Sequence, residues 1–298
     1  MNNITITGDL GSGKSTVAKA LCKLLNFKYL STGKIQREIG AQKGMNTLEL
    51  NYFSENNAEI DNLIDDMLIK LNDSEEQYVL DSRMAWFFVK NSFKIYLTVN
   101  PLTAAKRVMD DSMRKNEPIL NDIQQKANNL IERRTIEDRR FKQKYGVDCA
   151  NLENYDVVID TTRAAIEDIT NLLLRLYQAW VNKISEPHYW VSPLSLFPTK
   201  YYTLVGTEAA KEVRVSIREK GYWDNSAIKI IKDEYFFYIL DGHKRVSGAI
   251  KNKIPLIPAA ISSDPGFADS NANIGFINAW EDGHDFLFDD YPISKAAL

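Results

Sequence analysis

A short segment near the N-terminus has the residue types and the spacing that are needed to hold a phosphate group. Residues 8–15 read Gly-Asp-Leu-Gly-Ser-Gly-Lys-Ser and match the pattern G-x-x-x-x-G-K-[ST]. In this pattern backbone N–H groups curl around a β-phosphate, Lys14 brings a mobile positive charge to the β and γ oxygens, and the Ser15 hydroxyl ligates Mg²⁺. The predicted nucleotide-binding residues are Gly8, Gly11, Ser12, Gly13, Lys14, Ser15 and Thr16.

The elements on either side of this segment are the ones that such a loop requires. Residues 4–7 have the pattern of a β-strand, and residues 15–25 have a helical pattern with apolar side chains on one face. The N-terminus of that helix adds a dipole that favours an anion. A strand, a glycine-rich turn and an amphipathic helix together make this segment the strongest functional signal in the chain.

Cationic residues follow the later strands and indicate what the nucleotide is used for. Residues 31–33 read Ser-Thr-Gly and are followed by Arg37, which lies one turn into a further predicted helix, and residues 81–83 read Asp-Ser-Arg at the end of a strand. Residues 113–144 hold nine Lys and Arg against five Asp and Glu, a net charge of +4. Transfer of a phosphoryl group between two anions needs such cations, because its catalysis is mostly positioning and charge stabilisation. The pattern predicts a kinase, although a solvated helix face is the plain alternative for Arg134 or Arg139.

The first part of the chain alternates short β runs with helical stretches, which indicates parallel βαβ units and a three-layer α/β domain. Near Glu186-Pro187 this alternation stops. We therefore predict a first domain at 1–183, a second at 188–262 and an acidic extension that contains aromatic residues at 263–298. Predicted strands lie at 4–7, 28–30, 78–80, 95–99 and 157–159, and predicted helices at 15–25, 59–71, 101–111, 121–144 and 164–181.

Residues 1–180 resemble the nucleoside monophosphate kinases, and most closely their cytidylate kinase-like branch. The resemblance rests on the phosphate loop, on residues 31–37 and 81–83, and on residues 132–148. It implies a parallel sheet of order 2-3-1-4-5, a lid near 107–121 and transfer of the ATP γ-phosphate to a monophosphate, with CMP or dCMP as the expected acceptor. No general base is needed, because a phosphate acceptor is already nucleophilic at pH 7.

The same resemblance implies roles for individual residues. Lys14, Arg133, Arg140 and Asp81 would be catalytic, with Arg107, Arg133 and Arg140 bridging donor and acceptor. Thr32, Gly33, Arg37, Arg83 and Arg107 would bind substrate, and Asp81 would join Ser15 in holding Mg²⁺ and its water shell. Two positions depart from the family pattern on the acceptor side, because Lys34 replaces a frequent acid and Ser82 a usual glycine.

The second domain carries a Gly-His-Lys-Arg turn at 242–245 between a predicted strand at 235–240 and a predicted helix at 246–251. Together with a helix at 208–220 and strands at 227–231 and 257–261, this spacing resembles the α+β ParB/sulfiredoxin-like fold over about 188–262. The resemblance implies that Gly242, His243, Lys244 and Arg245 contact the phosphates of a second nucleotide. A strand-to-helix turn in which Arg245 only caps structure is the alternative.

Composition excludes several other classes of protein. The 298 residues are 44% apolar and 26% charged with a net charge of −3, as in a globular protein, and no apolar run is long enough to cross a membrane. Two cysteines and three histidines provide neither a disulfide framework nor a zinc site. The N-terminus lacks a signal-peptide pattern, so a cytoplasmic location is expected. The acidic balance, with no helix-turn-helix after the second domain, disfavours DNA.

These observations predict an ATP- and Mg²⁺-dependent kinase with a second phosphate-binding domain. Two alternatives stay open at this stage. One is a kinase of another small phosphate acceptor in which the second domain takes part. The other is a nucleotide-binding regulator with little turnover.

Overall fold

The computed structural model describes residues 2–111, 122–199, 207–222, 227–233 and 236–262. The chain divides into two units, one of Met1–Val158 with Thr170–Ile184 and one of Ile159–Ile169 with the described residues from Ser185 onward. The acidic extension predicted at 263–298 and residues 112–121 of the predicted lid lie outside the described residues. No helix in the described ranges is long and apolar enough to cross a membrane.

The first unit is built on a sheet of five strands in the order β2-β3-β1-β4-β5, which is the order that the resemblance implied. The pairs β2/β3, β3/β1 and β1/β4 are parallel, so an α/β fold with a mostly parallel sheet is confirmed. The strands are β1 (Asn3–Gly8), β2 (Lys28–Ser31), β3 (Tyr78–Asp81), β4 (Ser92–Thr98) and β5 (Val157–Asp160). Each predicted strand is present, with ends that differ by at most three residues.

Eight helices join these strands in the described part of the chain. Two of them were not predicted, although one, which follows Asn46, carries a capping box between Asn46 and Glu49. The helices are α1 (Lys14–Leu25), α2 (Thr32–Gln42), α3 (Thr47–Asn56), α4 (Glu59–Lys70), α5 (Ala85–Phe88), α6 (Pro101–Met109), α7 (Ile123–Tyr145) and α8 (Ile166–Val181), and the unpredicted ones are α3 and α5.

The central strand β1 is buried along its whole length, as expected of a parallel sheet covered on both faces. Its register places Ile6 opposite Asp81 of β3, and Gly8 opposite Leu97 of β4. The carboxyl ends of these strands therefore meet at one edge of the sheet, which is where α/β proteins bind their ligands. The phosphate loop after β1 and residues 81–83 after β3 both emerge at this edge.

The second unit has a mixed sheet in the order β6-β10-β8-β9-β7, with both parallel and antiparallel pairs. Its helices pack closely, because a Cβ at Gly248 would lie 2.9 Å from the Cδ1 atom of Ile217. The predicted helix at 208–220 and the predicted strand at 257–261 have the observed bounds. The elements are β6 (Tyr189–Val191), β7 (Leu196–Phe197), α9 (Glu208–Lys220), β8 (Ile228–Asp233), β9 (Phe236–Asp241), α10 (His243–Lys251) and β10 (Ile257–Ile261).

Candidate active site at the phosphate loop

An open cleft lies at the carboxyl edge of the sheet of the first unit. It brings together the phosphate loop, the start of α2, the end of β3 and the middle of α7. Ten of the residues predicted from the sequence line it: Gly11, Gly13, Lys14, Ser15, Thr32, Gly33, Arg37, Asp81, Arg83 and Arg133. Gln36 and Glu137, to which no role was assigned, line it as well.

The loop between β1 and α1 has a shape that only glycine permits at key positions. Gly11 and Gly13 have φ angles of +80° and +87°, which side chains rarely allow. A Cβ at Gly8 would collide with the backbone of Leu97 on β4, 2.1 Å from its carbonyl oxygen. The Ser12 side chain is fully buried and donates a hydrogen bond to the Asp9 carbonyl at 2.8 Å, so it contributes to the shape of the loop.

Lys14 folds back over its own loop in this structure. Its Nζ donates hydrogen bonds to the carbonyl oxygens of Gly8, at 3.0 Å, and of Asp9. The ammonium group therefore already lies beside the turn in which the motif holds phosphate. A phosphate that enters the loop would exchange these carbonyl oxygens for its own, which carry more negative charge.

Ser15 and Asp81 form the oxygen pair that the sequence predicted. The Ser15 hydroxyl donates to Oδ2 of Asp81 at 2.5 Å, and the hydroxyls of Tyr29 and Ser31 lie 3.3 Å from the same oxygen. Burial raises the pKa of Tyr29, and the charge of Asp81 raises it further, so the phenol stays a donor. A hydroxyl and a carboxylate fit Mg²⁺, which keeps several waters and binds through one or two protein oxygens and the substrate phosphates. Among the described residues there is no group of three or more acidic, histidine or cysteine side chains arranged so that it could hold a metal ion by itself.

Glu137 on α7 organises the cationic side of the cleft. Its Oε2 accepts from Nε of Arg83 at 2.8 Å and its Oε1 from Nε of Arg133 at 3.3 Å, and only 4% of the residue is exposed. Burial alone would raise the pKa of this carboxyl group, but Arg83 and then Arg133 outweigh it and hold the pKa at about 2. The sequence feature that could have identified Glu137 is the position of an acid four residues after Arg133, within a basic segment.

Arg140, which was predicted to bridge donor and acceptor, does not line the cleft in this structure. Its Nε lies 3.2 Å from Oδ2 of Asp61 on α4, and its Nη1 lies 3.5 Å from the Asn51 carbonyl on α3. The spacing of seven residues does place Arg133 and Arg140 on one side of α7. That side faces the cleft at Arg133, but α3 and α4 cover it at Arg140.

Two further predicted residues lie near the loop without lining the cleft. Nη1 of Arg107 on α6 is 3.5 Å from the Gly11 carbonyl, so this arginine approaches the loop from outside. Thr16 is exposed on the first turn of α1.

The turn of the second unit is the second predicted phosphate site. Gly242 has a φ angle of +106°, and a Cβ there would lie 2.5 Å from Cγ2 of Ile228. His243 is 4% exposed and its Nε2 accepts the backbone N–H of Thr199 at 3.0 Å, so this side of its ring is used within the fold. Arg245 donates to the Ala227 carbonyl and to Asp241, both at 3.0 Å, while Lys244 is partly exposed.

A phosphate loop after the first strand of a parallel sheet, facing arginines across a cleft, defines the class of P-loop phosphotransferases. The model of the cytidylate kinase-like family matches residues 3–163. The chain belongs to the cytidylate kinase-like family, whose reaction is phosphotransfer. Kinases of this family use ATP and usually Mg²⁺.

Individual relatives extend this comparison. A cytidylate kinase of Sulfurisphaera tokodaii is 36% identical over 170 residues, which are 57% of this chain and 92% of that protein. An S-adenosylmethionine-dependent nucleotide dehydratase of Lacinutrix mariniflava is 33% identical over 176 residues, which are 59% of this chain but only 36% of that protein. Among solved structures, shikimate kinase from Bacteroides thetaiotaomicron aligns with a TM-score of 0.42 and 18% identity, over 59% of this chain and 98% of that one.

Proposed function

We propose that the protein transfers the γ-phosphate of ATP to a nucleoside monophosphate, with CMP and dCMP as the preferred acceptors. The observation that carries this proposal is the single cleft that joins the phosphate loop to Arg37, Arg83 and Arg133. One side of the cleft suits a nucleoside triphosphate and the other a second phosphate. Membership of the cytidylate kinase-like family supports the choice of a cytidine nucleotide.

On the donor side, backbone N–H groups of the loop bind the β-phosphate and Lys14 moves from the loop carbonyls to the β and γ oxygens. Ser15 and Asp81 would hold Mg²⁺, which neutralises charge on the phosphate oxygens when it is bound. The hydrogen bond between these two side chains supports this role, because it shows that both can reach one point.

On the acceptor side, Arg37 and Arg83 bind the phosphate of the monophosphate, and Arg133 stabilises charge between acceptor and donor. Glu137 holds Arg83 and Arg133 through their Nε atoms, which orients both guanidinium groups. The acceptor phosphate attacks without a general base. A closing lid would exclude water and so prevent hydrolysis of ATP.

The two departures from the family pattern differ in their bearing on the acceptor. The Lys34 side chain is 70% exposed and lies 3.7 Å from Glu38 on the outer face of α2, and Lys34 does not line the cleft. Ser82 does line the cleft, and it is 4% exposed. Ser82 is therefore the departure that bears on which acceptor is used.

The test is ADP formation by the purified chain with ATP, Mg²⁺ and a panel of nucleoside monophosphates, with free serine and inositol as other acceptors. Formation of ADP that depends on CMP or dCMP is the expected result. Turnover with a non-nucleotide acceptor alone would favour the kinase of another small molecule. Binding of ATP with no turnover on any acceptor would favour a nucleotide-binding regulator.

For the second unit we propose a phosphate or nucleotide site at residues 242–245, as its resemblance to the ParB/sulfiredoxin-like fold implies. Gly242 adopts a left-handed conformation as the N-cap of α10, so residues 242–245 lie at a helix N-terminus. This supports the proposal, because a helix N-terminus favours anions. Lys244 and Arg245 are the side chains that remain for contact. An Arg245→Ala variant that folds normally and binds nucleotide in this unit as the wild type does would contradict the proposal.

A further inference from the structure

The second residue of the phosphate loop, Asp9, is an acid. A carboxylate in a loop that receives a triphosphate repels its ligand, so its presence there needs a physical reason. The side chain does not line the cleft. Instead its Oδ1 accepts a hydrogen bond from the hydroxyl of Tyr96 at 3.0 Å, and its Oδ2 accepts from the backbone N–H of Val99 at 3.1 Å.

Three hydrogen bonds thus tie this residue to β4 and the residues that follow it. The third is from the backbone N–H of Asp9 to the Leu97 carbonyl at 2.9 Å. Tyr96 is 4% exposed, and burial, reinforced by the charge of Asp9, raises the pKa of its phenol. Tyr96 therefore remains protonated and able to donate at any pH at which the protein works.

A neighbouring cation offsets the charge of this carboxylate. The guanidinium group of Arg134 on α7 lies 5.7 Å from the centre of the Tyr96 ring, and its Nη1 is 3.4 Å from the Gly8 carbonyl. Its Nε also donates to Asp138 at 2.7 Å. Arg134 thus reaches from α7 to the loop, and its positive charge reduces the repulsion that Asp9 would exert on a triphosphate.

The Asp9 peptide in turn determines the shape of the loop. Its carbonyl accepts from the backbone N–H of Ser12 at 3.3 Å, from the Ser12 hydroxyl at 2.8 Å, and from Nζ of Lys14. A rotation of this one peptide would disturb the turn that presents N–H groups to phosphate. It would also remove the carbonyl that holds Nζ of Lys14 beside the loop.

We propose that Asp9 is a positioning residue that fastens the first turn of the phosphate loop to β4, so that the loop is preformed for the triphosphate. This inference rests on the proposed function, in which the loop binds ATP. The main effect should fall on the donor, because Tyr96, Leu97 and Val99 line no part of the cleft, while the acceptor side meets this turn through Nη1 of Arg83, which donates to the Gly8 carbonyl.

The test compares Asp9→Ala, which removes both acceptor oxygens, with Asp9→Asn, which keeps one oxygen and the shape. Tyr96→Phe removes one donor and leaves the ring beneath Arg134, and Asp66→Ala on the exposed face of α4 is the matched control. The Kd of MgATP is measured by calorimetry, the KM values for ATP and CMP by ADP formation, and Tm by thermal unfolding of the full chain.

We expect Asp9→Ala to raise the Kd and KM for ATP about tenfold, Tyr96→Phe about threefold, and Asp9→Asn by less than Asp9→Ala. The KM for CMP should change clearly less than the KM for ATP, and Asp66→Ala should match the wild type. A merely structural role would lower Tm without this difference between the two KM values.

Binding of MgATP by Asp9→Ala as tightly as by the wild type, or more tightly, would refute the positioning role. If Asp9→Ala does not fold, an unchanged Kd in Tyr96→Phe refutes it equally. Failure of the wild type to bind ATP would instead overturn the proposed function, and this inference with it.

Discussion

The substitution Glu137→Gln tests the organisation of the acceptor side directly. It keeps the size of the side chain but removes the charge that Arg83 and Arg133 share. Arg83 and Arg133 then lose the ionised carboxylate that both contact in a buried place. We expect both the stability of the protein and the binding of the acceptor to fall.

The magnitude of the stability loss follows from the pKa of the carboxyl group. The pKa is lowered from 4.5 to about 2, so Glu137 stabilises the folded state above pH 4.5, and this contribution is lost as the pH falls towards 2. The difference corresponds to about 3 kcal/mol at neutral pH. Removal of one partner of a buried ion pair also costs about 3–5 kcal/mol in general, which agrees with this value.

Urea unfolding of the wild type and of Glu137→Gln, at pH 7 and at several values down to pH 3, measures this quantity. The difference in free energy of unfolding should be about 3 kcal/mol at pH 7 and should shrink below pH 4.5. The KM for CMP should rise about tenfold or more, since the arginines that bind its phosphate lose their orientation. Glu132→Gln is the control, because Glu132 lies on the same helix but is exposed.

Two results would refute this reasoning. A difference in unfolding free energy that stays constant from pH 7 to pH 3 would mean that ionised Glu137 does not supply the stability. An unchanged KM for CMP in a destabilised variant would mean that Glu137 supports the fold without orienting the acceptor arginines.

Three further substitutions test other parts of the structure. Lys14→Ala should lower kcat for ADP formation at least about 100-fold with Tm unchanged, because it removes the cation that reaches the transferred phosphate. Asp81→Asn should weaken the apparent affinity for Mg²⁺ about tenfold in a titration of activity, because the carboxylate that accepts the hydrogen bond of Ser15 loses its charge. Gly242→Ala should destabilise the second unit by about 1–3 kcal/mol in urea unfolding, since a φ of +106° and a contact of 2.5 Å with Ile228 leave no room for a Cβ.

The features that could be predicted from the sequence are those that depend on residues close together along the chain. The phosphate loop is defined by eight consecutive residues, and the strands beside it by runs of apolar side chains. The capping box of Asn46 and Glu49 is an equally local signal, and it would have predicted α3. Side-chain contacts between residues that are far apart in the sequence were predicted less well.

His243 illustrates this limit. Its place in a Gly-His-Lys-Arg turn at the start of a helix suggests a contact with phosphate. The orientation of its ring instead depends on Thr199, which lies 44 residues earlier and donates its backbone N–H to Nε2. A buried N–H must find an acceptor, and nothing in the turn itself indicates that this one would find His243.

Three arginines and one acid of α7 show the same limit within one helix. Arg133 and Glu137 face the cleft, Arg134 reaches the phosphate loop through the Gly8 carbonyl, and Arg140 is held by Asp61 on α4. Acids and bases are mixed along this helix, and their order does not indicate which element each will meet, so the surrounding elements assign each residue its role. Because Glu137 lies among all of them, substitutions on this helix should not have additive effects. Donor binding and acceptor binding are then expected to depend on each other through α7.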